Sequence, residues 1–283
     1  MTAVPSLPEG LVEPTLETFA ARDGLDVTGW LYRAGSGSAG GGAGSGRAVG
    51  SAGSSAGPAL VHLHGGPESQ ERPTFSPQHQ ALVAAGITVF APNIRGSSGF
   101  GKEFVHADDL EKRWAAHDDV VDCARFLVST GVADPARIAV TGRSYGGYAT
   151  LAALAFSPDV FACGIDICGM SDLGTFYRDT EPWIAAAATT KYGHPVDDAE
   201  LLAALSPLGS ASSIRVPLLV VHGELDTNVP IGEAHQIVEA LTSRGAPVEY
   251  LELDGEGHEY RRLASRRKLI ARLVSFTRAS LGV

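Results

Sequence analysis

The stretch Ile138-Ala139-Val140-Thr141-Gly142-Arg143-Ser144-Tyr145-Gly146-Gly147-Tyr148 decides how this chain is to be read. Residues 138–141 are a short apolar, partly β-branched run of the kind that forms a buried strand. Residues 145–156 are rich in small side chains and leucine and suit a closely packed helix. Between them, Gly142-x-Ser144-x-Gly146 reads as a sharp strand-to-helix turn that exposes a serine hydroxyl, with glycine at 142 and 146 because side chains there would collide across the turn. Such a serine is a candidate nucleophile. Near neutral pH its hydroxyl is a poor one, so the chain must also supply an imidazole to take the proton and a carboxylate to fix the imidazole's tautomer.

Working outward, β-branched runs predict strands at 59–64, 87–91, 163–167, 218–222 and 248–253, in addition to 138–141. They alternate with helical spacing at 114–130, 145–156, 232–244 and 263–281, the last with Ile270, Leu273, Val274 and Leu281 on one face. That rhythm implies an α/β fold: a mostly parallel central sheet of about eight strands with helices on both faces. Asp134-Pro135 and Val216-Pro217 read as extended entries just ahead of strands. Upstream, 16–21 and 26–33 form two more strands around the turn Arg22-Asp23-Gly24. Residues 35–57 are almost purely Gly, Ser and Ala, broken by Arg47 and Val49, and are expected to be a flexible loop inserted within a single domain spanning 1–283.

Composition narrows the class. With 283 residues, 44% hydrophobic and 19% charged, the chain is expected to fold as one soluble globular domain. A net charge of -10 would repel a phosphate backbone, which argues against nucleic acid as a partner. Cys123, Cys163 and Cys168 are odd in number and lack CxxC spacing, so reduced thiols and a cytoplasmic location are expected. The N-terminus has neither a basic start nor an apolar run, and no stretch approaches a membrane span, so no membrane association is expected.

In a sheet of this kind, the partners of the serine follow it on loops after later strands, carboxylate first and imidazole second. Asp226 follows the strand at 218–222 in HGELDTNVP, and His258 follows 248–253 in DGEGHEY. Glu224 and Asp254 compete with Asp226, which is preferred. Among nine histidines, His258 sits in a glycine-flanked loop between the last strand and the last helix; His222 instead ends a strand inside the fold. A tetrahedral oxyanion needs two donors already in place, and the backbone N–H groups of Tyr145 and of Gly66, in His64-Gly65-Gly66-Pro67, are the candidates. His62 and His64 alternate along their strand without a third ligand, so they read as structural, and neither a metal nor another cofactor is expected.

Taken together, HGGP at 64–67, RGSSGFG at 95–101, DPARIAVTGRSYGGY at 134–148, HGELDTNVP at 222–230 and EGH at 256–258 resemble the catalytic domain of the prolyl oligopeptidase family of serine peptidases, in its acylaminoacyl-peptidase and dipeptidyl-peptidase branch. The resemblance runs from about residue 16 to the C-terminus. It implies an α/β-hydrolase fold, a Ser144, Asp226, His258 triad and an oxyanion hole from Gly66 and Tyr145. Members of that family usually carry an N-terminal β-propeller that screens substrates by size, whereas this sequence begins where the catalytic domain begins. Specificity is therefore expected from residues after the strand at 163–167: Cys168, Met170, Phe176, Tyr177 and Trp183 as an apolar pocket, with Glu68 to hold a substrate ammonium. The expected activity is hydrolysis of a peptide or amide bond in a small substrate through an acyl-enzyme. An esterase or thioesterase is the alternative, since the same machinery serves any acyl transfer. A non-catalytic binding module fares worst, because every catalytic position is filled. A second copy of the chain could cover the surface that a propeller would otherwise occupy, giving a homo-oligomer.

Overall fold

The computed structural model describes residues 10–35 and 56–283. In chain order the elements are β1 (Thr15–Ala20), β2 (Asp26–Tyr32), β3 (Gly57–Leu63), α1 (Pro77–Ala84), β4 (Thr88–Asn93), α2 (Lys102–Val105), α3 (Arg113–Ser129), β5 (Ala133–Arg143), α4 (Tyr145–Phe156), β6 (Cys163–Ile167), α5 (Leu173–Asp179), α6 (Pro182–Tyr192), α7 (Ala199–Leu205), β7 (Leu218–Gly223), α8 (Gly232–Thr242), β8 (Val248–Leu253) and α9 (Leu263–Leu281). The strands form one sheet in the order β1-β2-β4-β3-β5-β6-β7-β8. β1 and β2 are antiparallel to their neighbours, and pairing is parallel from β4 through to β8.

Alternation along each strand divides the core between two faces. Leu60, Val89, Ala139, Ile165 and Leu219 meet Leu82 of α1 and Leu273 and Phe276 of α9. Val61, Phe90, Val140 and Val220 point the other way, onto Val120 of α3, Leu151 of α4 and Ile237 of α8. With helices on both sides, a central strand has no polar face, which is why these strands read as continuous apolar runs. From β3 the chain passes to β4 on one side and then crosses back to β5 on the other. A crevice opens at such a switch point, outside the carboxyl ends of the strands.

The β1–β2 hairpin is tied to the sheet by charge. Arg22 N and Nε donate to Asp122, and buried Arg95 joins Asp23 at 2.8 Å to Asp119 at 2.7 Å. Among the described residues no helix is long and apolar enough to cross a membrane.

Several expectations need correction. Asp134-Pro135 lies inside β5 rather than ahead of it, yet the ladder steps from Gly57↔Ala133 directly to Ala59↔Ile138, so proline's missing N–H leaves no partner unpaired. On α9 the buried face is Leu269, Leu273, Phe276 and Leu281, with Ile270 and Val274 at its flank. Helix α1 was not anticipated, although Ser76 caps it by accepting from His79 N and Pro77 takes its first position. Helices α5 and α6 were not anticipated either. The insertion at 35–57 falls outside the described residues except at its ends.

Candidate active site

Ser144 leaves β5 with φ 59 and ψ -117, a conformation that L residues seldom adopt, and α4 starts at the next residue. The turn is held by Ser144 N–H donating to the Ile167 carbonyl at 2.9 Å and by Tyr148 N–H donating to the Ser144 carbonyl at 3.0 Å. A Cβ on Gly146 would run into the Leu63 carbonyl at the end of β3. The strand before Gly66 therefore touches the start of the helix that begins with Tyr145. Gly66 itself has φ 127, and a Cβ there would sit 2.6 Å from Glu68 N. Tyr145 N–H is at the first position of α4, where backbone donors have no intrahelical acceptor.

Asp226 and His258 arrive from the loops after β7 and β8. His258 Nδ1 and Asp226 Oδ2 are 2.7 Å apart. Asp226 Oδ1 accepts the N–H groups of Asn228 and Val229, both at 3.0 Å, which fixes the carboxylate in a buried turn. Burial disfavours the imidazolium, but the Asp226 hydrogen bond and the nearby Cys168 favour it more, and the His258 pKa is pushed up to about 10. The competing carboxylates lie elsewhere: Glu224 and Asp254 are both exposed, and Glu224 accepts from Gly255 N at 2.7 Å. His222 is buried at the end of β7 and meets the Val229 carbonyl at 2.8 Å. His64 is held between the Gly65 carbonyl and Ser97 Oγ, each at 2.7 Å, while His62 faces Glu71 and His79.

Ser144, Tyr145, Gly66 and His258 open onto one cavity of about 460 Å³. Of the residues expected to shape it, Glu68, Met170, Phe176 and Trp183 line it, and Trp183 is 66% exposed at its rim. Two expectations are corrected. Cys168, at the end of β6 with φ 44, is 0% exposed and packs beside His258 and Asp226 instead of lining the cavity. Tyr177 follows Phe176 on α5, so it projects about 100° away around the helix, and it is buried, its hydroxyl unpaired among the described residues. Ile184, Lys191, Tyr192, Asn228 and Val229 also line the cavity, and the sequence analysis does not assign them to it. Among the described residues, the donor atoms of Cys168, Asp226 and His258 lie within 4.8 Å of one another and form the one grouping compact enough for a metal ion. The His258–Asp226 hydrogen bond already engages two of them.

The helical wall is held by buried charge. Arg113, 0% exposed, donates to the Tyr145 hydroxyl at 3.0 Å and to the Lys191 carbonyl at 3.1 Å, pairs with Asp108 at 3.0 Å, and lies 4.5 Å from the Tyr192 ring centroid. Lys191 Nζ reaches Asp109 at 2.8 Å, Asp108 at 3.0 Å and Glu68 at 3.3 Å. Glu68, read in the sequence as a site for a substrate ammonium, is thus already faced by a cation. Glu233 on α8 accepts from Ser171 N and Asp172 N, each at 2.8 Å, and anchors the loop that leads into α5. Burial raises the Glu233 pKa, and these hydrogen bonds oppose the rise.

A parallel sheet whose strand-end loops bring a strained serine, an imidazole and a buried carboxylate to one crevice defines an α/β hydrolase. The profile of the prolyl oligopeptidase family matches residues 73–283, and the chain belongs to that family. It is 37% identical over 230 residues to dipeptidyl aminopeptidase BIII of Pseudoxanthomonas mexicana, covering 80% of this chain and 33% of that one. It is 29% identical over 212 residues to the acylamino-acid-releasing enzyme of Arabidopsis thaliana, covering 71% and 27%. A puromycin-hydrolyzing peptidase of Mycobacterium tuberculosis superposes with a TM-score of 0.85 at 26% identity, over 96% of this chain and 40% of the other. The chain spans about a quarter to a third of the length of the curated relatives it matches.

Proposed function

We propose that the protein is a serine hydrolase that cleaves a peptide or amide bond of a small substrate through an acyl-enzyme. Ser144 Oγ attacks the scissile carbonyl while His258 Nε2 takes its proton. Asp226 holds Nδ1–H and stabilises the imidazolium that forms. The N–H groups of Tyr145 and Gly66 receive the negative charge that develops on the carbonyl oxygen. As the tetrahedral intermediate collapses, the C–N bond breaks, and His258 returns the proton to the departing nitrogen. Water then repeats the sequence on the ester, releasing the acid and restoring Ser144. Met170, Phe176, Trp183, Tyr192 and Val229 give the acyl side an apolar site.

The observation that carries this reading is the 2.7 Å His258–Asp226 hydrogen bond behind an imidazole that shares its cavity with a serine at φ 59. Family membership and the peptidases among the relatives point the same way. A fluorophosphonate probe should label the wild type and leave Ser144→Ala unlabelled; equal labelling of the two would remove the nucleophile. A panel of aminoacyl and N-acyl-aminoacyl p-nitroanilides and p-nitrophenyl esters then fixes the bond. Turnover of anilides is expected, and cleavage confined to esters would replace the peptidase reading with an esterase.

A further inference from the structure

Two cavities meet at His258, one of them the cavity that holds Ser144. The second, of about 540 Å³, is lined by residues 255–262 and Asn228, and Asn228 and His258 line both. Its charged groups are not equally free. The Glu256 carboxylate accepts Arg261 N at 2.8 Å and Arg262 N at 3.0 Å, and Glu259 pairs with Arg143 at 3.3 Å. Arg262 Nη1 is turned back onto the Asp254 carbonyl at 3.0 Å. Arg261 is exposed, and among the described residues its guanidinium has no hydrogen bond or ion pair.

The surroundings make that vacancy notable. Residues 261–268 hold Arg261, Arg262, Arg266, Arg267 and Lys268, in a chain whose net charge is -10. They flank the N-terminal end of α9, whose first turn carries no acidic residue. Helix dipoles favour anions there, and the Glu256 carboxylate already supplies one to the N–H groups of Arg261 and Arg262, while among the described residues the Arg261 guanidinium stays unengaged.

Proton delivery fixes which part of a substrate comes here. His258 must reach the departing nitrogen, so the leaving fragment lies on the His258 side, while the acyl part occupies the apolar cavity that contains Gly66 and Tyr145. We infer that the second cavity receives the leaving fragment and that Arg261 binds its terminal carboxylate, so short peptides with a free C-terminus are preferred. This rests on the roles given above to Ser144 and His258.

The test uses matched peptides with one acyl part, whose leaving fragment is Gly-Gly as the free acid or as the C-terminal amide, alongside the corresponding p-nitroanilide. The free acid should exceed the amide in kcat/KM on the order of fivefold, through KM, because the pair forms at a solvent-exposed site. The ratio should shrink as salt is added. Arg261→Gln should bring it to about 1, Arg261→Lys should keep part of it, and Arg267→Gln, in the same basic cluster but on α9 and outside the cavity, should keep all of it. A wild-type ratio near 1, or one that survives Arg261→Gln, overturns the inference. Anilide turnover separates the two failures: anilide cleavage without carboxylate preference overturns this inference alone, whereas no turnover of any substrate overturns the hydrolase reading with it.

Discussion

One side of the Ser144 cavity is made of loops that leave strand ends, and the other of helices α5 and α6 with the loop before them. The first is fixed by backbone contact and short hydrogen bonds: Gly146 against the Leu63 carbonyl, Ser144 N–H on Ile167, Asp226 between His258 and two backbone N–H groups. The second is held at a distance by side chains that lie outside the cavity or at its margin, with Arg113, Asp108 and Lys191 on one flank and Glu233 on the other. Reacting atoms tolerate little displacement, whereas a binding surface can be reshaped while the chemistry stays in place. The strand-end side should therefore govern rate and the helical side choice of substrate.

The strongest challenge to this division is Asp226→Asn. It keeps the shape but leaves His258 in the wrong tautomer, and kcat is expected to fall about 10⁴-fold with KM little changed. Near-normal turnover, measured in the same anilide assay, would move the carboxylate role to another residue and dissolve the strand-end side as a unit.

A pH profile tests the same side less drastically. His258 is raised to about 10, so kcat/KM should climb roughly tenfold per pH unit below that value, because only neutral imidazole accepts the serine proton. The stability linkage has the opposite sign. A raised pKa means the imidazolium is favoured by folding, so the His258–Asp226 contribution is complete below the ordinary histidine pKa of about 6.5 and is lost as pH rises through about 10. Activity should therefore appear over the range where that contribution is lost. A limb at or below pH 6.5 in the kcat/KM profile would mean that burial outweighs Asp226.

The smallest effect belongs to the helical side. Trp183 is 66% exposed at the cavity rim, where a bound acyl group would cover it. Trp183→Ala should raise KM for bulky apolar acyl groups about fivefold, the loss of roughly 1 kcal/mol of contact, and leave kcat near its original value. A hundredfold fall in kcat would show that α6 positions reacting atoms, and the comparison between the two sides would fail.

The division also marks what could be read in advance. The parallel strands were legible because burial on both faces strips them of polar residues, and Ser144, Asp226 and His258 were legible because each follows such a strand in a short glycine-containing loop. Helix α6 was opaque: PWIAAAATTKY carries its apolar groups toward a cavity as well as a core, so no single buried stripe shows. Cys168 and Tyr177 were misplaced for geometric reasons. A left-handed φ at 168 and one step around α5 decide which way those side chains point, and neither is written in residue type. Arg113 and Lys191 escaped notice because a charged residue reads as solvated until its partners, Asp108 above all, are brought to it by the fold.

The contact between Gly146 and the Leu63 carbonyl has a meaning for anyone who would redesign this molecule. It acts as a gauge block: the missing side chain sets the spacing between the end of β3 and the start of α4, and hence between the loop bearing Gly66 and the N–H of Tyr145. Any side chain at 146 would meet the Leu63 carbonyl and force that gap wider. Engineers can vary the cavity-facing residues of the helical side while treating this spacing as a fixed dimension of the tool.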